Sequence, residues 1–189
     1  RIYVQRQRKG RDVAALFLVD MSASTDDSVP DSEDESIRSA LETAEEFDWA
    51  DPVIATVVPG TRIIDIEKQA VILMAEALEA LGDSYAVCGF SGYGRDQVEY
   101  YLCKDFDQAL DHRTKARIGG IKPCRSTRMG PAIRHSTQRL TRTESRIKAL
   151  IIISDGYPQD HDYGRDRNSK AYGVNDTMKA LYEAKQQGV

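Results

Sequence analysis

The 189-residue chain has only three cysteines, Cys88, Cys103 and Cys124, and no two of them form a Cys-x-x-Cys pair. That spacing is not zinc spacing, and an odd count is a poor disulfide framework, so free thiols in a reducing cytoplasm are expected. No stretch is long and apolar enough to span a bilayer. The basic start Arg6-Gln7-Arg8-Lys9 has no apolar segment behind it, as a secretory leader requires. Excess positive charge is also missing. Lys and Arg total 26 against 30 Asp and Glu, and the net charge of −4 argues against a general nucleic-acid binder. The phosphate loop GxxxxGK[ST] does not occur, and Gly92-x-Gly94 lacks the third glycine and following helix of a dinucleotide loop. At 41% hydrophobic residues, the chain can bury one sizeable core and reads as a single domain.

What is present is an alternation of strands and helices. The sequence predicts strand 13–19, a loop 20–25, an insertion of about 26–60, helix 61–82, and strands 85–90 and 97–103. A short helix near 107–117, helix 131–141, strand 148–153 and helix 174–187 follow. This order implies a doubly wound α/β sandwich. In the long helix, Ile63, Ile66, Ala70, Leu73, Ala77, Leu78 and Leu81 recur at helical spacing, and Gly82 supplies a stop. The turn Ser91-Gly92-Tyr93-Gly94-Arg95 predicts a hairpin and an antiparallel edge strand. Val13–Val19 and Ile147–Ile153 are apolar nearly throughout, the pattern of central parallel strands covered on both faces.

Both apolar strands end in oxygen-rich loops. Asp20-Met21-Ser22-Ala23-Ser24 places a carboxylate and two hydroxyls on alternate residues, and Ser154-Asp155-Gly156 follows the later strand. Sites in open α/β sheets lie beyond the carboxyl ends of such strands. A third loop, Cys124–Arg128, leads into a helix with Pro131 in its first turn and offers the Thr127 hydroxyl. Hard oxygens of this kind are what Mg²⁺ requires, with positions left for water or a partner's oxygen. The same residues also suit ordinary turns, Asp20 as a turn cap and Asp155 in an Asx-turn before Pro158.

Asp20, Ser22, Ser24, Thr127 and Asp155, in that order, resemble the metal-ion-dependent adhesion site of von Willebrand factor A domains. The strings Val71–Asp83 (VILMAEALEALGD), Thr127–His135 (TRMGPAIRH), Ser154–Pro158 (SDGYP) and Asn175–Ala180 (NDTMKA) resemble the A domain of NorD-type nitric oxide reductase activation proteins. The CbbO-type subunit of rubisco activase is similar and shares these motifs. The resemblance covers the chain from about Asp12, leaving 1–11 as a basic N-terminal segment. It implies a Rossmann-like three-layer sandwich, mostly parallel with one antiparallel edge strand. It also implies Mg²⁺, with Mn²⁺ or Ca²⁺ as substitutes, held through the hydroxyls of Ser22, Ser24 and Thr127. Asp20 and Asp155 would act mostly through water. In that family the A domain is the C-terminal part of a longer protein that works with a hexameric MoxR-type AAA+ ATPase. The resemblance therefore implies a cytoplasmic adaptor and not an enzyme, whose metal accepts an acidic residue of a target enzyme. Neither nucleic acid nor membrane insertion is implied. The A-domain pattern would continue past Val189 through further strands and a last helix, so a C-terminally truncated fragment is expected.

Other readings stand beside this one. Phosphatases with an aspartyl nucleophile need a second Asp two residues on as general acid; here that position is Ser22. His112, His135 and His161 lie in no Ser–His–Asp pattern with a nucleophile elbow. His135 reads as a packed residue or one that supports the site, and His161 as a polar residue at its rim. A metal-independent scaffold is the third reading. The insertion carries Asp26, Asp27, Asp31, Glu33, Asp34 and Glu35, then Glu42, Glu45, Glu46, Asp48 and Asp51. Such a run is a solvated loop or, given Ile37, Ala40, Leu41, Ala44, Phe47 and the single Trp49, an acidic helix that docks a basic surface or folds back as a lid. Opposing charge lies at Arg113, Lys115, Arg117, Lys122, Arg125 and Arg128.

Overall fold

Strand β1 (Val13–Asp20) is buried from Ala14 to Asp20, and both of its faces are covered. In the computed structural model, which describes residues 12–29, 60–163 and 170–189, β1 pairs in parallel with β2 (Ser84–Gly92) on one side. On the other side it pairs in parallel with β4 (Ile147–Ile153). Strand β3 (Val98–Lys104) runs antiparallel to β2, giving the sheet order β3-β2-β1-β4. The alternation of a pleated strand then divides the core in two. Ala15, Phe17 and Val19 face one layer with α1 (Ile63–Leu81) and α2 (His112–Gly119), through Ile64, Val71, Ala75 and Ile118. Ala14, Leu16 and Leu18 face the opposite layer, where α3 (Met129–Thr141) and α4 (Ala171–Gln186) bring Ala132, Ile133, Leu140 and Ala180. Each fully buried Val, Leu, Ile or Phe side chain among these contributes about 1.5–3 kcal/mol. The expected three-layer α/β sandwich, mostly parallel with one antiparallel edge strand, is present.

Several expectations need correcting. Strand β4 stands at the edge of the sheet among the described residues, not at its centre, and Ile147 is 60% exposed. Its apolar run is real because both layers use it: Ile151 and Ile153 pack on one core, Leu150 and Ile152 on the other. The short helix begins later than 107 because Asp111 caps it, accepting a hydrogen bond from Thr114 N at 2.8 Å. Helix α3 starts at Met129, which leaves Pro131 inside the first turn, where its missing N–H is no loss. Gly82 does stop α1, at φ 74°, a left-handed conformation that favours glycine.

The face of α1 is the instructive correction. The stripe Ile63, Ile66, Ala70, Leu73, Ala77, Leu78 and Leu81 is not the buried one: Leu73 is 52% and Leu81 53% exposed. The helix buries Ile64, Glu67, Val71 and Ala75, one position further round. The helix is apolar on much of its circumference, and a glutamate in the middle of the buried face interrupts the apolar pattern there. The basic segment 1–11, and the acidic insertion with its candidate helix and Trp49 from 30 to 59, lie outside the described residues.

Candidate metal site

The parallel register of β1 and β4 sets Val19 opposite Ile153, so Asp20 and the pair Ser154-Asp155 leave the sheet at one end. Asp20 is completely buried. Its Oδ1 accepts from Ser22 N at 2.8 Å and its Oδ2 from Ser154 Oγ at 2.8 Å. Burial raises its pKa; the hydrogen bonds from Ser154 and Ser22 pull the other way without cancelling it, and the charge of Asp155 adds to the rise. Carboxylate Asp20 is thus fixed in orientation behind the loop that follows it.

That loop turns into a short 3-10 helix, Ala23–Asp26, closed where Thr25 Oγ1 donates to Ser22 O at 2.8 Å. The turn brings Ser22 Oγ and Ser24 Oγ to 3.0 Å from each other, with Ser22 buried and Ser24 exposed. Two hydroxyl oxygens side by side, one buried over a carboxylate and one open to solvent, make half of a hard-oxygen cradle.

Main-chain bonds tie the third loop to this one. Met21 N donates to Phe90 O at 2.9 Å, Cys124 N to Met21 O at 2.6 Å, and Ala23 N to Arg125 O at 2.7 Å. Ser126 and Gly92 exchange backbone hydrogen bonds, and Ser91 Oγ accepts from Arg125 N at 3.0 Å. Gly92 allows this approach: a Cβ there would meet Arg128 Cβ at 2.6 Å. Thr127, two residues beyond the bond to Ala23, is 4% exposed, and its N–H donates to Gln159 O at 2.9 Å in the loop after β4. Asp155 is exposed and close enough for its charge to act on Asp20.

The structure therefore joins Asp20, Ser22 and Ser24 directly, ties Thr127 to the same loops through the main chain, and couples Asp155 through its charge. Among the described residues, no three His, Cys, Asp or Glu side chains stand where they could grip an ion together. The donor set is instead rich in hydroxyls with carboxylates behind, which fits a hard cation such as Mg²⁺ better than a softer one.

Two residues were not singled out from the sequence. Ser154 holds Asp20, and its position directly after an apolar strand was the available signal. Glu67 lies on the buried face of α1. Among the histidines, His135 is exposed and stacks edgewise on Tyr100 of β3 at 4.5 Å. His161 packs against Tyr93 at 4.4 Å. All three cysteines are free, two of them buried.

A second buried carboxylate lies beside these loops. Asp160 accepts from Gly94 N at 3.1 and 3.0 Å, from Arg128 Nη1 at 3.2 Å and from Asp162 N at 2.9 Å. Arg128 stands 4.6 Å over the Tyr163 ring. This cluster locks the β2–β3 turn to the loop after β4.

No family model matches the chain. It is 34% identical over 188 residues to the protein named NorD of Stutzerimonas stutzeri, covering 100% of this chain and 26% of the relative. It is 30% identical over 189 residues to the NorD protein of Brucella suis, covering 100% of this chain and 25% of the relative. The chain thus spans about a quarter of the length of these curated relatives. Among solved structures, the pilus adhesin SpaC of Lactobacillus rhamnosus GG matches with a TM-score of 0.57 at 14% identity, over 96% of this chain and 23% of that one. The PilB minor pilin of Streptococcus sanguinis matches with a TM-score of 0.55 at 17% identity, over 82% of this chain and 32% of that one. No helix among the described residues is long and apolar enough to cross a membrane. By sequence the chain is similar along its whole length to proteins named NorD, and by fold to domains of pilus adhesins.

Proposed function

We propose that this chain is a metal-dependent protein-binding domain of a NorD- or CbbO-type activator, which links a MoxR-type AAA+ ATPase to the enzyme being activated, nitric oxide reductase or rubisco. The observation that carries this reading is the hydroxyl pair of Ser22 and Ser24, 3.0 Å apart, set over a buried Asp20 that Ser22 N and Ser154 Oγ hold in place. Similarity to the NorD proteins over the whole chain supports it.

Ser22, Ser24 and Thr127 would hold Mg²⁺ (or Mn²⁺ or Ca²⁺) through their hydroxyls, with Asp20 and Asp155 serving through water. When bound, the ion supplies a positive centre able to accept a carboxylate from another protein. The chain's own part is geometric. Burial and two hydrogen bonds fix Asp20, the 3-10 turn aligns the hydroxyls, and the main-chain ties to Cys124 and Arg125 keep the third loop in register. Such ordering, made before a partner arrives, lowers the entropic cost of binding. Hydrolysis of ATP belongs to the partner in this account.

The test is co-precipitation of the 189-residue chain with the ATPase ring and with the candidate target, in Mg²⁺ and in chelator. Wild-type capture that disappears in chelator and in Asp20→Ala and Ser22→Ala, both still folded by circular dichroism, is the expected result. Equal capture in all conditions would overturn the metal-dependent reading.

A further inference from the structure

Glu67 stands where the helix pattern calls for an apolar residue. It is 7% exposed, on the α1 face whose neighbours Ile64 and Val71 pack into the core with Phe17, Val19 and Met21. Its Oε2 has no hydrogen-bond partner. A buried carboxylate oxygen left unpaired costs enough that such a group calls for an explanation. Helix α1 is held against the oxygen-rich loop by Ile63 N donating to Asp27 O at 3.0 Å and by the bridge between Ser28 and Arg62. Its first turns therefore lie at the end of β1 where Asp20 sits.

Among the described residues, the charges that act on Glu67 are of one sign. Burial, then the charges of Asp20 and of Asp155, push its pKa up to about 8. The nearby cations on α1 and the packed α2 point elsewhere: Arg62 pairs with Asp65 and Asp26, Lys68 with Asp65 and Lys115 with Glu76, Arg117 donates to Gln108 and Thr114, and Arg113 is exposed. Arg128, the buried cation at this end of the sheet, is paired with Asp160. Three carboxylates thus share one region, and among the described residues none of them is ion-paired with a protein cation.

We propose that Glu67 is a third carboxylate of the metal site, reached from the helix side and serving the ion through water. This inference rests on the metal reading above. The water-mediated role follows from spacing, since no three acidic side chains among the described residues can grip an ion together. Glu67 would balance part of the ion's charge and accept a hydrogen bond from its water, while the hydroxyls of Ser22 and Ser24 would hold the ion itself. The unpaired Oε2 is, in this account, the acceptor kept for that water.

The experiment compares wild type, Glu67→Gln and Asp20→Ala of the 189-residue chain by calorimetric titration with Mg²⁺ and Mn²⁺, and by thermal melting in chelator. Glu67→Gln keeps the shape and removes the charge. The expected result is metal affinity about tenfold weaker than wild type, the lower end of what loss of such a supporting group does, with a metal-free melting temperature equal to or above wild type. A purely structural glutamate would not give that opposite pair of changes. Wild-type affinity in Glu67→Gln overturns this inference and leaves the metal reading standing. A folded wild type that takes up neither ion overturns both.

Discussion

Two buried carboxylates at the same end of the sheet are handled in opposite ways. Asp160 is saturated: two backbone N–H groups of other residues donate to it, and Arg128 supplies a counter-charge. Asp20 receives one N–H and one hydroxyl and, among the described residues, no cation, and it shares its surroundings with Glu67, whose Oε2 is unpartnered. A carboxylate that holds a fold together is given its partner by the fold. In the metal-dependent reading proposed above, a carboxylate kept for an exogenous cation would be held in place but left short of charge.

The largest effect expected from breaking this contrast is at Asp160. Asp160→Ala leaves Arg128, 7% exposed, without its counter-charge, and should cost about 3–5 kcal/mol in chemical denaturation. Unchanged stability would remove the structural half of the comparison. Asp20→Ala should do the reverse, abolishing ion uptake in a titration while lowering the stability of the metal-free chain by no more than about 3 kcal/mol. Ser154→Ala is intermediate. It removes one hydrogen bond to a buried carboxylate, about 1.5–3 kcal/mol, and should weaken metal affinity about tenfold by freeing the Asp20 side chain.

The smallest effect is expected at the outer edge of the Asp160 cluster. Asp162 accepts from Arg95 N at 3.1 Å and Nε at 2.9 Å, and these hydrogen bonds lower its pKa to about 2. A lowered carboxylate pKa adds stability that is present above the ordinary value near 4 and lost as pH falls through about 2. Asp162→Asn should therefore be slightly less stable than wild type at neutral pH, with the difference closing between pH 4 and pH 2 in acid-denaturation curves. A difference that persists at pH 2 would assign the effect to another cause.

Much of this was legible in the sequence because it rests on local pattern. Strand β1 announces itself by an apolar run ending in Asp20, the hairpin by its glycine-rich turn, and the stop of α1 by Gly82. The spacing of Asp20, Ser22 and Ser24 is a loop property, and the 3-10 turn that aligns the hydroxyls follows from it. What stayed hidden depends on contacts distant in sequence. The face of α1 could not be chosen because that helix carries apolar residues on several sides and its true face contains Glu67. The edge position of β4 was hidden for a related reason: its isoleucines serve both layers, as a central strand's would. Ser154 and Asp160 acquire meaning only when β4 is laid beside β1 and the loop after it meets Gly94 and Arg128.

The most direct measurement of the central claim is calorimetric titration of the chelator-stripped 189-residue chain with Mg²⁺ and Mn²⁺, beside Asp20→Ala. One site in wild type that is absent in the variant is expected, with both chains folded by circular dichroism. A folded wild type that takes up no ion, or equal binding by the two chains, would contradict that claim.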